Sequence, residues 1–470
     1  MRWLCKRQLH VAVAIAFSII TCGSVAEAQD SSQAVELSGR RSETGTGEAT
    51  VNTSTVKPAI AHYFDPVQGL STDELVRRAL ASNGELAAAR IEIQRVGGRL
   101  RQAGLRPNPT LDVEQTTGRF TGSADERETS VGIAVPIELG AKRKRRIELA
   151  RVELEAVQAE VADRERRLTL EVMTLYAEAL SALRELETTE SINQVDLQTT
   201  RFVQARVNEG ESAPLELNLL RTEVDRLRSR RALVEGRLTT TLLKLKVLAG
   251  LSDAEPLRLR EDLATIRQPV FPQSVDAAIA IALRSRPDLR LARLNEEVAE
   301  AGLKLARASA SPDLTAFTLY SVSRSAFEVT PVGVLRDRDK TLTFGVSVGI
   351  PIFNRNQGNK AEATALISQA RTRREFLEQI IRSEVQSAYA RYEAARSAAL
   401  TFEQGVIGRS TDNIRVIRAA YELGQFQITD LLSEQRRLLD SQREYTETLA
   451  EQYRALADLQ AALGGPINKP

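Results

Sequence analysis

The sequence has few of the side chains that form most catalytic and metal sites. Its 470 residues include two cysteines and two histidines, and of these four only His62 lies beyond residue 28. It contains no P-loop, GxSxG or HExxH pattern. A single histidine without cysteine cannot supply a set of soft metal ligands, and no other cluster suggests a catalytic pocket. We therefore expect no enzymatic activity, no bound metal and no other cofactor.

Long apolar runs are also missing beyond residue 28. No stretch of 18 or more apolar residues follows, so a helical membrane span is excluded. Two classes of protein remain: a soluble periplasmic protein, and an outer-membrane β-barrel, whose strands give a much weaker sequence signal.

Residues 1–28 have the features of a bacterial secretory signal peptide. Basic residues are followed by a short apolar run at 11–20 and by the small-x-small sequence Ala26-Glu27-Ala28. Cys22 offers an alternative, because a cysteine after an apolar run can be the acylated residue of a lipoprotein. Cleavage after Ala28 would remove both cysteines, which suits an oxidising compartment such as the periplasm.

Aromatic residues amount to only 4%, whereas alanine, leucine, arginine, glutamate and glutamine are abundant. This composition is typical of long helices rather than of several compact enzyme domains. The 64 basic and 62 acidic residues nearly balance, so no nucleic-acid partner is expected. The run AKRKRR at 141–146 is a local exception. It is either a basic collar able to meet anionic lipid headgroups or a solvated helix start.

The chain contains two repeats of one plan. Each repeat opens with helices, at 74–90 and at 276–293, and continues through a proline-bearing segment and two strands into a long stretch without proline. The second copy begins about 203 to 215 residues after the first. We divide the chain into a signal peptide (1–28), a flexible leader (29–66), a first repeat (67–250), a linker (251–274), a second repeat (275–465) and a tail (466–470).

Each repeat contains two candidate strands in which apolar residues alternate with small or polar ones. The strands span 110–118, 129–137, 314–322 and 341–352, and polar loops at 119–128 and 323–340 separate them in pairs. The face expected to meet lipid comprises Val131, Ile133, Val135, Leu342, Phe344, Val346, Val348 and Ile350.

Strands of about 9–11 residues suit a tilted membrane crossing, although a soluble hairpin packed on a helix would show the same alternation. The small, polar opposite face and the long loops favour the membrane. Four strands cannot close a barrel, because open edges would leave backbone groups unsatisfied in lipid. Strands in a membrane would therefore have to come from several chains.

Long helices are predicted for the stretches without proline, at 137–213 and 352–465. Apolar residues recur there at coiled-coil spacing, as in the series Leu431, Leu438 and Tyr445. The expected fold is thus mainly α, with long antiparallel coiled-coil hairpins and a small membrane β part.

Each long helical stretch is expected to turn back once, at 207–215 and at 422–430. Gly210 and Gly424 suit the C-terminal caps of the helices that arrive at these turns. Ser212 and Thr429 are the expected caps of the helices that return.

The phrases RVNEGESAPLELNLLRTEVDRLRSR (206–230) and YELGQFQITDLLSEQRRLLDSQREY (421–445), with the signal peptide and the duplicated plan, resemble the outer-membrane efflux proteins of the TolC family. The phrase at 421–445 is most similar to the CzcC/CusC metal-efflux branch. The resemblance implies a homotrimer whose chains contribute four strands each to a twelve-stranded barrel in the outer membrane. A helical tunnel, or α-barrel, would continue this barrel across the periplasm.

The resemblance also implies partners and a function. A periplasmic adaptor (membrane fusion protein) and an inner-membrane pump of the RND type would dock below the tunnel. The protein would then conduct small solutes passively, such as heavy-metal cations or drugs. Two alternatives stay open here: the exit duct of a type I protein secretion system, and a soluble periplasmic coiled-coil scaffold.

The resemblance assigns roles to individual residues. Asp430 and Glu216 correspond to acidic residues that narrow the periplasmic aperture, while Ser433 occupies a second position that is acidic in the family. For Asp430, a structural role as an acid at a helix start is an equal alternative. The turns expected to contact the adaptor comprise Asn208, Glu209, Gly210, Leu423, Gly424 and Gln425. Pro136 and Pro351 would mark the bends from strand to helix.

Overall fold

The computed structural model describes residues 59–120, 126–252, 254–266, 271–329 and 333–465. The predicted signal peptide with Cys22, the leader up to residue 58 and the tail 466–470 lie outside these ranges. Helices and strands follow in the order α1 (Thr72–Ser82), α2 (Gly84–Ala103), β1 (Thr110–Thr117), β2 (Arg127–Ile137), α3 (Lys142–Asn208), α4 (Pro214–Ala249), α5 (Val275–Ser285), α6 (Pro287–Ala308), β3 (Leu314–Val329), β4 (Gly333–Val348), α7 (Gln357–Thr401), α8 (Ile407–Glu422) and α9 (Ile428–Ala462).

Each repeat begins with a corner between two helices. In the first repeat, the side chain of Ser71 accepts a hydrogen bond from the backbone N–H of Glu74 and starts α1, and Asn83 starts α2 in the same way. In the second repeat, Ser274 caps α5, and Pro287 occupies the first turn of α6, where a missing N–H costs nothing.

The four strands form one antiparallel sheet in chain order. Leu111 pairs with Ile133 in the first hairpin. Adding 203 to the first position and 215 to the second gives Leu314 and Val348, which are also paired. The two hairpins therefore share one register, and this confirms the duplication at the level of single residue pairs.

The second hairpin differs from the predicted one at both ends. Its strands run to Val329 and from Gly333, so most of the predicted loop 323–340 is strand. Antiparallel pairing continues there through the charged segment 336–340, where the sequence shows no alternation of apolar residues. At the other end β4 stops at Val348 instead of 352, because its partner β3 begins at Leu314, directly opposite Val348.

The long helices form a layer in the order α4, α3, α9, α7, in which each helix packs on the next. The helix α3 has 67 residues, which corresponds to a length of about 100 Å. The shorter α6 packs against both α3 and α7, while α2 packs on α3. No helix within the described ranges is both long enough and apolar enough to cross a membrane.

The second long helix contains one irregular turn. A π-helical segment, Phe402–Val406, joins α7 to α8 without ending the helical path. The helix α7 is buried at Ile381, Ala388 and Tyr392, whereas its Leu366 is exposed.

The main core lies where the linker and the short helices meet the long ones, and includes Leu75, Tyr176 and Leu259. Residues 59–66 also pack there: Asp65 N donates to Leu259 O (2.9 Å), and Leu259 N donates to Tyr63 O (2.8 Å). This pairing with the linker fixes them, so assigning them to a flexible leader was wrong. A smaller tip cluster at the far end of the helices comprises Val203, Leu217, Leu220, Ile414, Tyr421, Ile428, Leu431 and Leu432.

Candidate functional site at the sheet face and the helical tips

One face of the sheet exposes a continuous apolar surface. Phe344 is 72% exposed, and its row of the sheet includes Ile133 of β2. The surface contains seven of the eight residues expected to meet lipid and adds Leu111 and Val113 of β1, while the eighth, Ile350, is exposed just past the end of β4. A lone chain has no element that covers this face among the described residues, and its width over four strands fits a lipid-facing sheet better than a hairpin packed on a helix.

The opposite face is built around small residues, as expected, but it also holds two large ones. A methyl group placed on Gly345 would lie 2.3 Å from the ring of Phe317, and one on Gly132 would lie 2.9 Å from a methyl carbon of Leu319. These side chains therefore lie flat across the neighbouring strands. Sequence alternation missed Phe317 and Leu319 because the glycines that accommodate them lie on other strands.

Pro136 and Pro351 lie close to the points where β2 and β4 lead into the long helices. Pro136 lies inside β2 opposite Thr315, at a point that β1 no longer reaches, so its missing N–H is tolerated. Pro351 follows the end of β4 by three residues. The turns into α3 and α7 use Ala141 and Asn356, which both adopt the left-handed conformation with φ of 59°. The prediction that Pro136 and Pro351 mark the bends stays untested for the assembled protein.

The two tips end in the same cap. In the first tip, Gly210 N donates to Val207 O (3.1 Å) and Glu211 N donates to Arg206 O (2.8 Å). In the second, Gly424 donates to Tyr421 O in the equivalent bond (2.9 Å). Both glycines have positive φ, so each tip is a Schellman motif. All six turn residues expected to contact an adaptor are exposed: Asn208, Glu209, Gly210, Leu423, Gly424 and Gln425.

The returning helices start differently from the sequence prediction. Pro214 opens α4 after Ala213, so Ser212 is not the cap. The helix α9 opens at Ile428, and Gln427 rather than Thr429 precedes it as the cap. A reciprocal interaction with the residue three positions on can outweigh the preference for serine or threonine at a cap.

Asp430 takes part in that reciprocal interaction. Its carboxylate accepts a hydrogen bond from Gln427 N (3.0 Å), which is the helix-start role foreseen as the alternative for this residue. Burial raises the pKa of Tyr421, and the negative charge of the Glu216 carboxylate adds to this shift. Both acids are half-buried at the tip end of the molecule. The hydroxyl of Ser433 donates to Asp430 O (2.8 Å).

A layer of buried polar residues, which the sequence analysis did not predict, lies between the main core and the tip cluster. Asp196 is 1% exposed, and within the described residues neither carboxylate oxygen has a hydrogen-bond partner. Burial raises its pKa to about 6; the nearby Gln435 amide and Arg418 oppose the shift, and Glu223 reinforces it. Asn193 and Gln435 are also buried with unpartnered amide oxygens. The sequence signal for this layer would have been polar residues, such as Asn193 and Asp196, at positions of α3 that face the neighbouring helices.

Comparison with known proteins agrees with this architecture. The sequence model of the outer membrane efflux protein family matches residues 75–251 and 278–465. The cobalt-zinc-cadmium resistance protein CzcC of Cupriavidus metallidurans is 24% identical over 401 residues, which are 84% of this chain and 90% of that protein. The toluene efflux pump outer membrane protein TtgI of Pseudomonas putida is 24% identical over 433 residues, 88% of each chain.

Solved structures show the same fold. The chain of CusC superposes with a TM-score of 0.69 at 21% identity, covering 84% of this chain and 92% of that one. The outer-membrane channel OprN gives a TM-score of 0.68 at 16% identity over 91% and 99% of the two chains. Together with the family match over most of the sequence, these comparisons show that the chain belongs to the outer membrane efflux protein family.

Proposed function

We propose that three copies of this outer-membrane efflux chain form one conduit, the outer-membrane channel of a tripartite RND-type system. The proposal rests on the observation that the sheet and the helical layer each end in edge elements, beyond which the described chain adds no further strand or long helix to the layer. The sheet ends in β1 on one side and β4 on the other, and the helical layer ends in α4 and α7. In each layer, one edge comes from the first repeat and the other from the second.

Edges of this kind favour a closed ring. The first repeat of one chain can follow the second repeat of its neighbour just as the second repeat follows the first within a chain. Such head-to-tail contacts close when the rotation fits a whole number of copies. In lipid, closure also satisfies the backbone groups of β1 and β4. The number of copies in the ring, three, is taken from the resemblance to the TolC family.

Exposed apolar residues support the same contacts between helices. On α4, the exposed Leu233 and Val247 are separated by two heptads, with Leu243 between them. On α7, Leu366, Phe376 and Leu400 are exposed. These residues lie on the two edge helices of the layer, where a neighbouring chain would cover them.

The duplication predicts the register of the sheet between chains. Within the chain, Ile133 of β2 pairs with Thr318 of β3. Adding 215 to the first position and subtracting 203 from the second places Val348 of one chain opposite Gln115 of the next. The same rule continues the contact towards residue 352. This accounts for apolar residues such as Ile350, which extend past the end of β4 in the single chain.

At the far end of the molecule, three copies would bring the tips together below the tunnel. Asp430 and Glu216 would then form rings of carboxylates that narrow the aperture and favour cations. The exposed turn residues, from Asn208 to Gly210 and from Leu423 to Gln425, would contact a periplasmic adaptor, which links the conduit to an inner-membrane pump. The conduit would conduct solutes passively after the pump has selected them. Metal cations and apolar solvents are both candidates, since CzcC and TtgI are named for such roles.

Crosslinking tests the ring and its register. The variant Gln115→Cys/Val348→Cys should form a crosslinked trimer with a short bifunctional thiol reagent, because directly opposed residues have Cβ atoms about 5 Å apart. The control Gln115→Cys/Ser347→Cys places the thiols on opposite faces of the sheet and should give little product. Monomers only, or equal yields for both pairs, would contradict the proposed ring.

The aperture is tested by conductance. Asp430→Asn with Glu216→Gln removes six charges from the trimer, while asparagine can still accept the hydrogen bond from Gln427. We expect single-channel conductance to rise and cation preference to fall. Asp225→Asn, at an exposed position of α4, is the control. Unchanged current and selectivity in the double variant would exclude an acidic aperture.

A further inference from the structure

Given the proposed position in the outer membrane, we propose that a basic collar at the helical end of the sheet binds the phosphates of anionic phospholipids. This collar takes Arg143 and Lys144 from the basic run at 141–146 and adds Arg106 and Arg355; all four are exposed. Arg106 precedes β1, Arg143 and Lys144 follow β2, and Arg355 follows β4, so all four adjoin the same end of the sheet.

Hydrogen bonds hold these segments together. Arg143 Nε donates to Gly104 O (2.7 Å), so the start of α3 is tied to the chain that enters β1. Leu139 N donates to Asp313 Oδ1 (3.2 Å), which joins the exit of β2 to the entry of β3. These contacts place the charged side chains on a fixed rim rather than on a loose loop.

The acids near the rim are already neutralised, whereas the collar is not. Lys142 contacts Asp313 (2.8 Å), Arg146 is paired with Glu138, and Arg145 contacts Glu148 (2.7 Å). Within the described part of the chain, the four collar residues have no acidic partner within ion-pair distance. The rim therefore carries an uncompensated charge of about four per chain, and a phosphate diester is the kind of anion that arginine binds well.

Apolar side chains lie beside the collar. Phe353 is 90% exposed, and Ile350 and Ile352 are exposed between it and β4. Leu105 and Leu139 are exposed next to Arg106 and Arg143. Apolar groups that continue a lipid-facing surface, followed at once by cations, match the boundary between acyl chains and headgroups.

Among the described residues at the other end of the sheet, opposite charges nearly balance. The exposed segment from Arg336 to Lys340 alternates basic and acidic residues, and Glu126 and Glu128 flank Arg127. This part of the described chain therefore carries no excess comparable to that of the collar. The asymmetry assigns the collar end of the sheet to the leaflet that contains phospholipids of negative charge.

Spin-labelled lipids provide the test. The native trimer, reconstituted in phosphatidylethanolamine bilayers, should restrict labelled phosphatidylglycerol more than labelled phosphatidylethanolamine. Each collar charge should raise the affinity for phosphatidylglycerol relative to phosphatidylethanolamine by roughly fivefold at most. This preference should shrink in high salt. The variant Arg106→Gln/Arg143→Gln/Lys144→Gln/Arg355→Gln should bring the ratio of the two affinities close to one.

A matched control removes four exposed cations from the other end of the sheet: Arg119→Gln/Arg127→Gln/Arg338→Gln/Lys340→Gln. It should keep the lipid preference of the native protein. A preference that survives in the collar variant, or that falls equally in the control, overturns the inference. Conductance of the same samples separates the two proposals, because a channel without lipid preference contradicts only the collar, whereas a chain that forms no channel contradicts the proposed function.

Discussion

Replacing Asp196 by asparagine should stabilise the protein at neutral pH. The side chain is buried without a hydrogen-bond partner among the described residues, and its pKa lies at about 6 instead of 3.8. This difference corresponds to about 3 kcal/mol. A carboxyl group with a raised pKa binds its proton more tightly in the folded protein than in the unfolded chain. The folded state therefore loses stability as the pH rises from about 4 to above 6.

Asparagine has nearly the same shape and carries no charge. We expect Asp196→Asn to gain up to about 3 kcal/mol at pH 7.5 and only about 0.5 kcal/mol at pH 4, where the carboxyl group is protonated in the folded state and about half ionised in the unfolded chain. Thermal midpoints from circular dichroism, taken from pH 4 to pH 8, measure this difference. The exposed Asp440→Asn should show no such dependence. A loss of stability at neutral pH, or a difference that stays constant with pH, would mean that Asp196 is charged and paired, for example with Arg418.

Three further changes test other parts of the structure. Phe344→Arg should lower the yield of trimer, because a cation at mid-depth in lipid costs about 2–4 kcal/mol; Thr343→Arg on the other face is the control, and equal yields would mean that Phe344 does not face lipid. Gly424→Ala should destabilise the tip by about 1–2 kcal/mol through its φ of 76° alone, as no atom would contact the new methyl group; unchanged hydrogen exchange at the tip would contradict this. Arg286→Ala should cost up to about 3–5 kcal/mol in thermal unfolding, because it removes the 2.5 Å ion pair of the half-buried Asp288 and leaves it only the longer contact with Arg166 (3.9 Å); a double variant with Asp288→Asn should lose less.

The helical part of the fold followed closely from local sequence. Gly210 and Gly424 were recognisable as caps because only glycine adopts positive φ without strain, and this preference acts within a few residues. The seam through Leu431 and Leu438 was equally clear, since coiled-coil spacing needs no knowledge of the partner helix.

Other features depended on residues far away in the chain. The end of β4 at Val348 is set by β3, which begins directly opposite at Leu314. The accommodation of Phe317 over Gly345 needs the register between β3 and β4, which alternation along one strand does not contain.

The sequence by itself determined the kinds of element, their duplication and the apolar alternation of the strands, because periodicity, glycine and proline act over short distances. Only the tertiary structure decided where β4 ends, how the chain bends into α3 and α7, and that Asp196 is buried without a hydrogen-bond partner among the described residues. Those outcomes depend on which distant strands and helices become neighbours, and on whether water can reach the groups between them.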